Sequence, residues 1–126
     1  MQTEKQIIGA WGENQAVSFL KKKGYSVVER NFRTRAGELD IIAWHEKKHF
    51  GKTLVFVEVK TRSYGQGSAE RATDYQKLSN LFLAARAFCL TKKISLDNTP
   101  IQFEQVSVYG KNGIVNRISH NIIPVE

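Results

Sequence analysis

Two stretches decide how this chain is read: Gly37-Glu38-Leu39-Asp40-Ile41-Ile42-Ala43-Trp44, and further on Leu54-Val55-Phe56-Val57-Glu58-Val59-Lys60. In a strand, successive side chains point to opposite faces. Glu38, Asp40, Ile42 and Trp44 then share one face of the first stretch, opposite Leu39, Ile41 and Ala43. In the second, Leu54, Phe56, Glu58 and Lys60 oppose Val55, Val57 and Val59. Both strands are apolar on two faces, which predicts a sheet covered on both sides. If the two form a hairpin, a symmetric register sets Trp44 against Leu54, Ile42 against Phe56 and Asp40 against Glu58.

Outward from these strands, Thr3 and Gln6 have capping-box spacing and open a helix over about residues 3–23. Its small and apolar arc holds Gly9, Ala10, Gly12, Ala16, Val17, Phe19 and Leu20, with Gly24 as its stop. Glu13 falls inside that arc. Tyr25 to Arg30 reads as a strand, followed by a polar turn through Gly37. His45 to Lys52 is a polar connection, and Ser63 to Ser68 a loop. A second helix runs over about 73–90, with Tyr75, Leu78, Leu81, Phe82, Ala85, Phe88 and Cys89 on its buried arc. Two more strands, Ile101–Tyr109 and Ile114–Ser119, flank a turn at 110–113. The order α-β-β-β-α-β-β predicts an α/β fold with a central mixed sheet flanked by helices.

The chain has 126 residues, one domain's worth. No apolar run approaches the ~18 residues that span a bilayer, the polar start Met1 to Lys5 does not read as a secretory h-region, and the lone Cys89 forms no internal disulfide. A cytoplasmic protein without a membrane partner is the expectation. Nineteen Lys and Arg against 12 Asp and Glu leave +7. Lys21, Lys22, Lys23, Arg30, Arg33 and Arg35 crowd one short segment with a single acid, Glu29. Such a patch attracts polyanions, nucleic acid foremost.

Asp40 opposite Glu58 places like charges ~4.5–5.5 Å apart among apolar neighbours, which is unfavourable unless neutralised. Lys60, on the face of Glu58, is one neutralising partner. A divalent cation is the other, and closely spaced oxygen ligands suit Mg²⁺ or Mn²⁺. Zinc does not fit: Cys89 is alone, and His45, His49 and His120 have no ligand spacing.

Gly37-Glu38-Leu39-Asp40, followed by Phe56-Val57-Glu58-Val59-Lys60, resembles the D…(D/E)-x-K signature of the PD-(D/E)xK nuclease superfamily. The chain resembles more closely one branch, the YraN-like bacterial family. That likeness includes Gly9…Gly12-Glu13…Ala16…Leu20…Gly24-Tyr25, Glu29-Arg30-Asn31-Phe32-Arg33, Gly37 to Ile42, Phe56 to Arg62 and Lys77. Gln102-Phe103-Glu104-Gln105 departs from the family's Arg-Phe-Asp-like run. The resemblance implies the restriction-endonuclease-like three-layer fold and a metal-dependent DNA endonuclease acting on branched or structured DNA, like the similar Holliday-junction resolvases. It implies Asp40 and Glu58 as ligands of Mg²⁺ or Mn²⁺, with the Val59 carbonyl a third. Lys60 would serve the attacking water, and Glu13 is the helix acid, as a ligand or in an ion pair with an arginine. Arg33, Arg35, Arg62 and Lys77 are the implied phosphate contacts, and paired cuts at a junction imply a homodimer. A nucleic-acid-binding module without catalysis is the competing class. A basic protein docking an acidic partner is a third.

Overall fold

The computed structural model of the chain describes residues 2–62 and 75–124. Helix α1 (Glu4–Lys22) starts where its cap predicts. The Thr3 hydroxyl accepts the Gln6 N–H at 3.1 Å, and Gln6 Oε1 accepts the Thr3 N–H at 2.8 Å. Two of the four orphan donors of a helix start are satisfied this way. Its other end closes through Gly24 at φ +91°, with Gly24 N–H on Lys21 O and Tyr25 N–H on Leu20 O. This is the double bond of a left-handed helix cap, a conformation glycine adopts without steric cost.

Three strands follow, β1 (Ser26–Thr34), β2 (Gly37–Lys47) and β3 (Gly51–Arg62), then α2 (Tyr75–Lys92), β4 (Ile101–Lys111) and β5 (Ile114–Ile122). They form one five-stranded sheet in the order β1-β2-β3-β4-β5. Neighbours are antiparallel except β3 and β4, which run parallel. A parallel pair needs a crossover, and α2 lies in that connection. The predicted order and the mixed sheet are therefore what the chain forms.

Each face of the sheet carries one helix. On the α1 face, Ala16, Val17, Leu20 and Tyr25 bury Ile41, Ala43, Val55, Val57, Val106 and Val108. On the α2 face, Leu81, Ala84, Ala85, Phe88 and Cys89 bury Leu39, Ile42, Leu54, Phe56 and Phe103. Trp11 packs against the first core and Trp44 against the second. At Gly12 the α1 backbone comes so close to β3 that a Cβ would stand 1.9 Å from Thr61 Oγ1. Among the described residues, no helix is long and apolar enough to cross a membrane.

Several sequence expectations need correction. The symmetric hairpin register holds for Ile42↔Phe56 and Trp44↔Leu54, but the ladder ends at Ile41↔Val57, so Asp40 and Glu58 lie one step past the last rung. Strand β1 does not stop at Arg30 but runs to Thr34. The polar connection shrinks to residues 48–50, because β2 and β3 pair as far as Lys47 and Gly51, with Glu46 and Lys52 exposed. Gly9 and Ala10 are exposed, since the first turns of α1 overhang the sheet and burial starts near Gly12. Leu39 does not share a face with Ile41; it joins Ile42 in the α2-side core. The alternation slips at Asp40, opposite Asn31, whose φ is +54°. The expected loop 63–68, the first residues of the second helix and the side chain of Tyr75 lie outside the described residues.

Candidate functional site

Where β2 and β3 part, the hydrogen-bonding edge of β3 turns from backbone to side chain. The Val59 N–H, which would otherwise continue the ladder, donates to Asp40 Oδ2 at 2.8 Å. In an extended strand the N–H and C=O of one residue face the same side, so the Val59 carbonyl faces the gap that Asp40 occupies. Burial holds the Asp40 carboxyl well above the ordinary aspartate range, at about 6. The Val59 bond opposes that rise, and the charges of Glu58, Glu13 and Glu38 add to it.

Glu58 is nearly buried, its side chain 11% exposed, and one oxygen meets two ammonium groups. Lys60 Nζ stands 2.7 Å from Oε1, and Lys77 Nζ, on the first turn of α2, pairs with the same atom. Two cations on one oxygen compete. Burial, helped by the Lys77 charge, pulls Lys60 below the ordinary lysine value, and the Glu58 bond only partly offsets it. Lys77 pays a burial cost too, but the Glu58 carboxylate outweighs it and holds the proton above the ordinary value.

Two clefts meet here. One, of about 370 Å³ on the α2 side, is lined by Ala36, Asp40, Glu58, Lys60, Lys77 and Asn80. The other, of about 680 Å³ beneath the overhang of α1, holds Glu13, Arg30, Asn31, Arg33 and Arg62. Glu38, Asp40, Val59 and Lys60 line both. The candidate residues thus gather at one end of the sheet, with one exception. Arg35 lies in the exposed β1–β2 turn and lines neither cleft. Glu13 reaches the α1-side cleft but is held there by Arg30 Nε at 3.0 Å and Asn31 Nδ2 at 3.1 Å, the arginine pairing that its position on the helix also predicted. Arg33 pairs with Glu38 at 3.2 Å across an exposed rim, a contact worth little in stability.

The donor set suits a hard divalent cation in kind. Asp40, Glu58 and the Val59 carbonyl are oxygen ligands that meet at one cleft, with Lys60 and Lys77 already paired to Glu58. Among the described residues, no three His, Cys, Asp or Glu side chains converge closely enough to hold a metal ion by themselves. A cation here would complete its shell with water or phosphate oxygens, as Mg²⁺ does with one or two carboxylates.

Sequence reading missed Asn31 and Asn80. Asn31 had a signal: asparagine is depleted in strands and enriched at positive φ, and it stands inside a strand. The departure at Gln102 to Gln105 resolves into two environments. Gln105 is the β4 neighbour of Glu58. Glu104, 1% exposed, lies on the opposite face and accepts bonds from Tyr25 Oη at 2.7 Å, Lys47 Nζ at 2.8 Å and His120 Nε2 at 2.6 Å. Burial works to raise its pKa, but the three donors pull it down to about 2.

The chain is thus an α/β protein whose single mixed sheet ends in a cluster of acids and lysines between two helices. Residues 12–108 match the model of the family described as "Uncharacterised protein family UPF0102", and the chain belongs to that family. Among its relatives, a UPF0102 protein of Desulforapulum autotrophicum is 37% identical over 113 residues, covering 89% of this chain and 88% of that protein. One of Desulforamulus reducens is 36% identical over 122 residues, covering 95% and 96%. One of Alkaliphilus oremlandii is 41% identical over 102 residues, covering 80% and 83%.

Proposed function

We propose that this protein is a metal-dependent DNA endonuclease of the PD-(D/E)xK superfamily, hydrolysing phosphodiester bonds in branched or structured DNA. The observation that carries the reading is the meeting of Asp40, Glu58 and Lys60 in one cleft, where β2 and β3 stop pairing. This is the ordered acid, acid and lysine set that the superfamily signature leads one to expect.

Asp40 and Glu58, with the Val59 carbonyl, would hold Mg²⁺ or Mn²⁺. When bound, such an ion supplies Lewis-acid polarisation of the phosphodiester and acidifies water. Lys60, with its lowered proton affinity and its place on the face of Glu58, orients the attacking water and offsets charge building on the phosphoryl oxygens. Lys77 reaches the same point from α2 and would offer a phosphate contact there. Arg33 and Arg62 flank the second cleft as backbone contacts, which set affinity without reading sequence. Arg35, outside both clefts, adds long-range attraction. Paired nicks need two sites, so a homodimer is the assembly this reading implies.

The test is cleavage of single-stranded, duplex, flapped and four-way-junction DNA in Mg²⁺, Mn²⁺ or EDTA. Metal-dependent cutting of a branched substrate is the expected result.

One observation favours a second reading, a binding module without catalysis: Glu58 is already neutralised by Lys60 and Lys77. That reading expects salt-sensitive DNA binding with no cleavage, and binding by Glu58→Ala equal to or tighter than wild type.

A further inference from the structure

Arg30 faces α1, where it pairs with Glu13, while Phe32, two residues on, faces α2 and packs edge-on against Phe88 at 5.1 Å. Residues two apart on a regular strand share a face, so the pleat turns over between them. Asn31 sits at the turnover with φ +54°. Its β2 neighbours show the same inversion, Leu39 in the α2-side core and Ile41 in the α1-side core. The β1–β2 ladder pairs Arg30 with Ile41 and Phe32 with Leu39 but passes over Asn31 and Asp40. Asp40 is thus passed over on the β1 side and lies beyond the last rung on the β3 side. A left-handed residue outside glycine is uncommon, and such backbone tends to collect at functional sites.

The Asn31 side chain acts at the same place. Its Nδ2 donates to Glu13 Oε1, the atom that Arg30 Nε also reaches, while Arg30 Nη2 donates to Asn14 Oδ1 at 2.7 Å. One dipeptide of β1 therefore fixes an acid of α1 in the cleft that Asp40 lines.

We propose that Asn31 is a positioning residue for the site: its left-handed backbone turns the pleat over beside Asp40, and its amide, with Arg30, fixes Glu13 in the cleft that Asp40 lines, where it would accept from the water shell of a cation held by Asp40 and Glu58. The inference rests on the nuclease reading and deepens it. It separates two roles in one residue. Asn31→Gly keeps the left-handed backbone and loses the amide. Asn31→Val loses both, because a β-branched side chain resists positive φ.

The experiment is Mn²⁺ binding to the full-length metal-free protein by calorimetry, with thermal midpoints and amide exchange at Val59 alongside. Removing an outer-shell partner typically costs ~10–100-fold in metal affinity or activity. Asn31→Gly is expected to weaken Mn²⁺ binding by about tenfold with an unchanged thermal midpoint and unchanged protection of the Val59 amide. Asn31→Val is expected to lose that protection as well. Asn31→Asp, which also tolerates positive φ, sets a charge against Glu13 and is expected to weaken binding too, so the question stays answerable if glycine loosens the strand. Glu58→Gln serves as the control. Loss of Mn²⁺ binding in Glu58→Gln, with wild-type affinity in Asn31→Gly and Asn31→Asp, overturns the amide role, and wild-type affinity with intact Val59 protection in Asn31→Val overturns the backbone role. Wild-type affinity in Glu58→Gln overturns the metal reading and this inference with it.

Discussion

The carboxylate of Asp40 accepts the backbone N–H of Val59 at 2.8 Å, one step past the last rung that joins β2 to β3. A side chain thus takes over where the backbone ladder stops, and the gap left open is where the acids and lysines converge. The bond holds the acid in place while burial and neighbouring charges make its ionised form costly.

That cost sets the first expectation. An acid with a folded pKa of about 6 against an ordinary value of 3.8 favours folding only while protonated. Its contribution is complete below the unfolded value and is lost as pH rises through about 6. Asp40→Asn keeps an oxygen for the Val59 N–H and removes the charge. It is expected to gain on the order of 1–2 kcal/mol of stability at neutral pH, read from urea midpoints, while cleavage is abolished. Millimolar Mg²⁺ should raise the thermal midpoint of wild type but not of this variant.

Glu104 carries the opposite sign. Its pKa, held near 2 against 4.5, contributes stability above the unfolded value that is lost as pH falls through the folded one. The bonds from Tyr25, Lys47 and His120 tie the start of β1, the end of β2 and β5 to β4. Breaking a buried pair by removing one partner costs about 3–5 kcal/mol, so Glu104→Gln should be destabilised by several kcal/mol at pH 7. It should also show a shallower loss of stability between pH 5 and 2, measured by the same urea series.

Much of this was legible in the chain, and the exceptions have physical causes. Thr3, Gln6 and Gly24 announced both ends of α1 because caps are local chemistry. The hairpin register followed from symmetric pairing, which sets the large apolar side chains Ile42 against Phe56 and Trp44 against Leu54. The acids and Lys60 of the site could be picked out because charges on apolar faces need a reason. What failed was Asn31. Periodicity assumes a regular pleat, and the left-handed residue Asn31 marks where it inverts, with Phe32 and its partner Leu39 on the other core. The partners of Glu104 were equally hidden, because three separate segments supply Tyr25, Lys47 and His120 and no spacing along the chain records that.

Gly12 bears on how Glu13 is presented. A Cβ there would stand 1.9 Å from Thr61 Oγ1 and 2.9 Å from its Cβ, so α1 must lift from β3. Overpacking of this kind costs about 1–3 kcal/mol. Gly12→Ala should lower the thermal midpoint and reduce cleavage, because α1 carries Glu13. Adding Thr61→Ala should recover part of both losses.

The two lysines on Glu58 should separate kinetically. Lys60→Ala is expected to lower the cleavage rate by at least ~10²-fold, the scale of a lost acid–base or electrostatic group, with DNA affinity little changed. Lys77→Ala should weaken DNA binding and reduce its salt dependence by about one phosphate contact, while freeing Glu58 to bind Mn²⁺ more tightly. Fluorescence anisotropy at several salt concentrations and single-turnover cleavage distinguish the two.

The measurement that bears most directly on the central claim is single-turnover cleavage of a four-way junction and a matched duplex by wild type, Glu58→Gln and Lys60→Ala, each in Mg²⁺ and in EDTA. Wild type is expected to cut the junction in Mg²⁺ and not in EDTA, with both variants inactive yet still binding the substrate. Cutting that persists in EDTA or in Glu58→Gln would contradict it. So would salt-sensitive binding by all three proteins with no cleavage of either substrate.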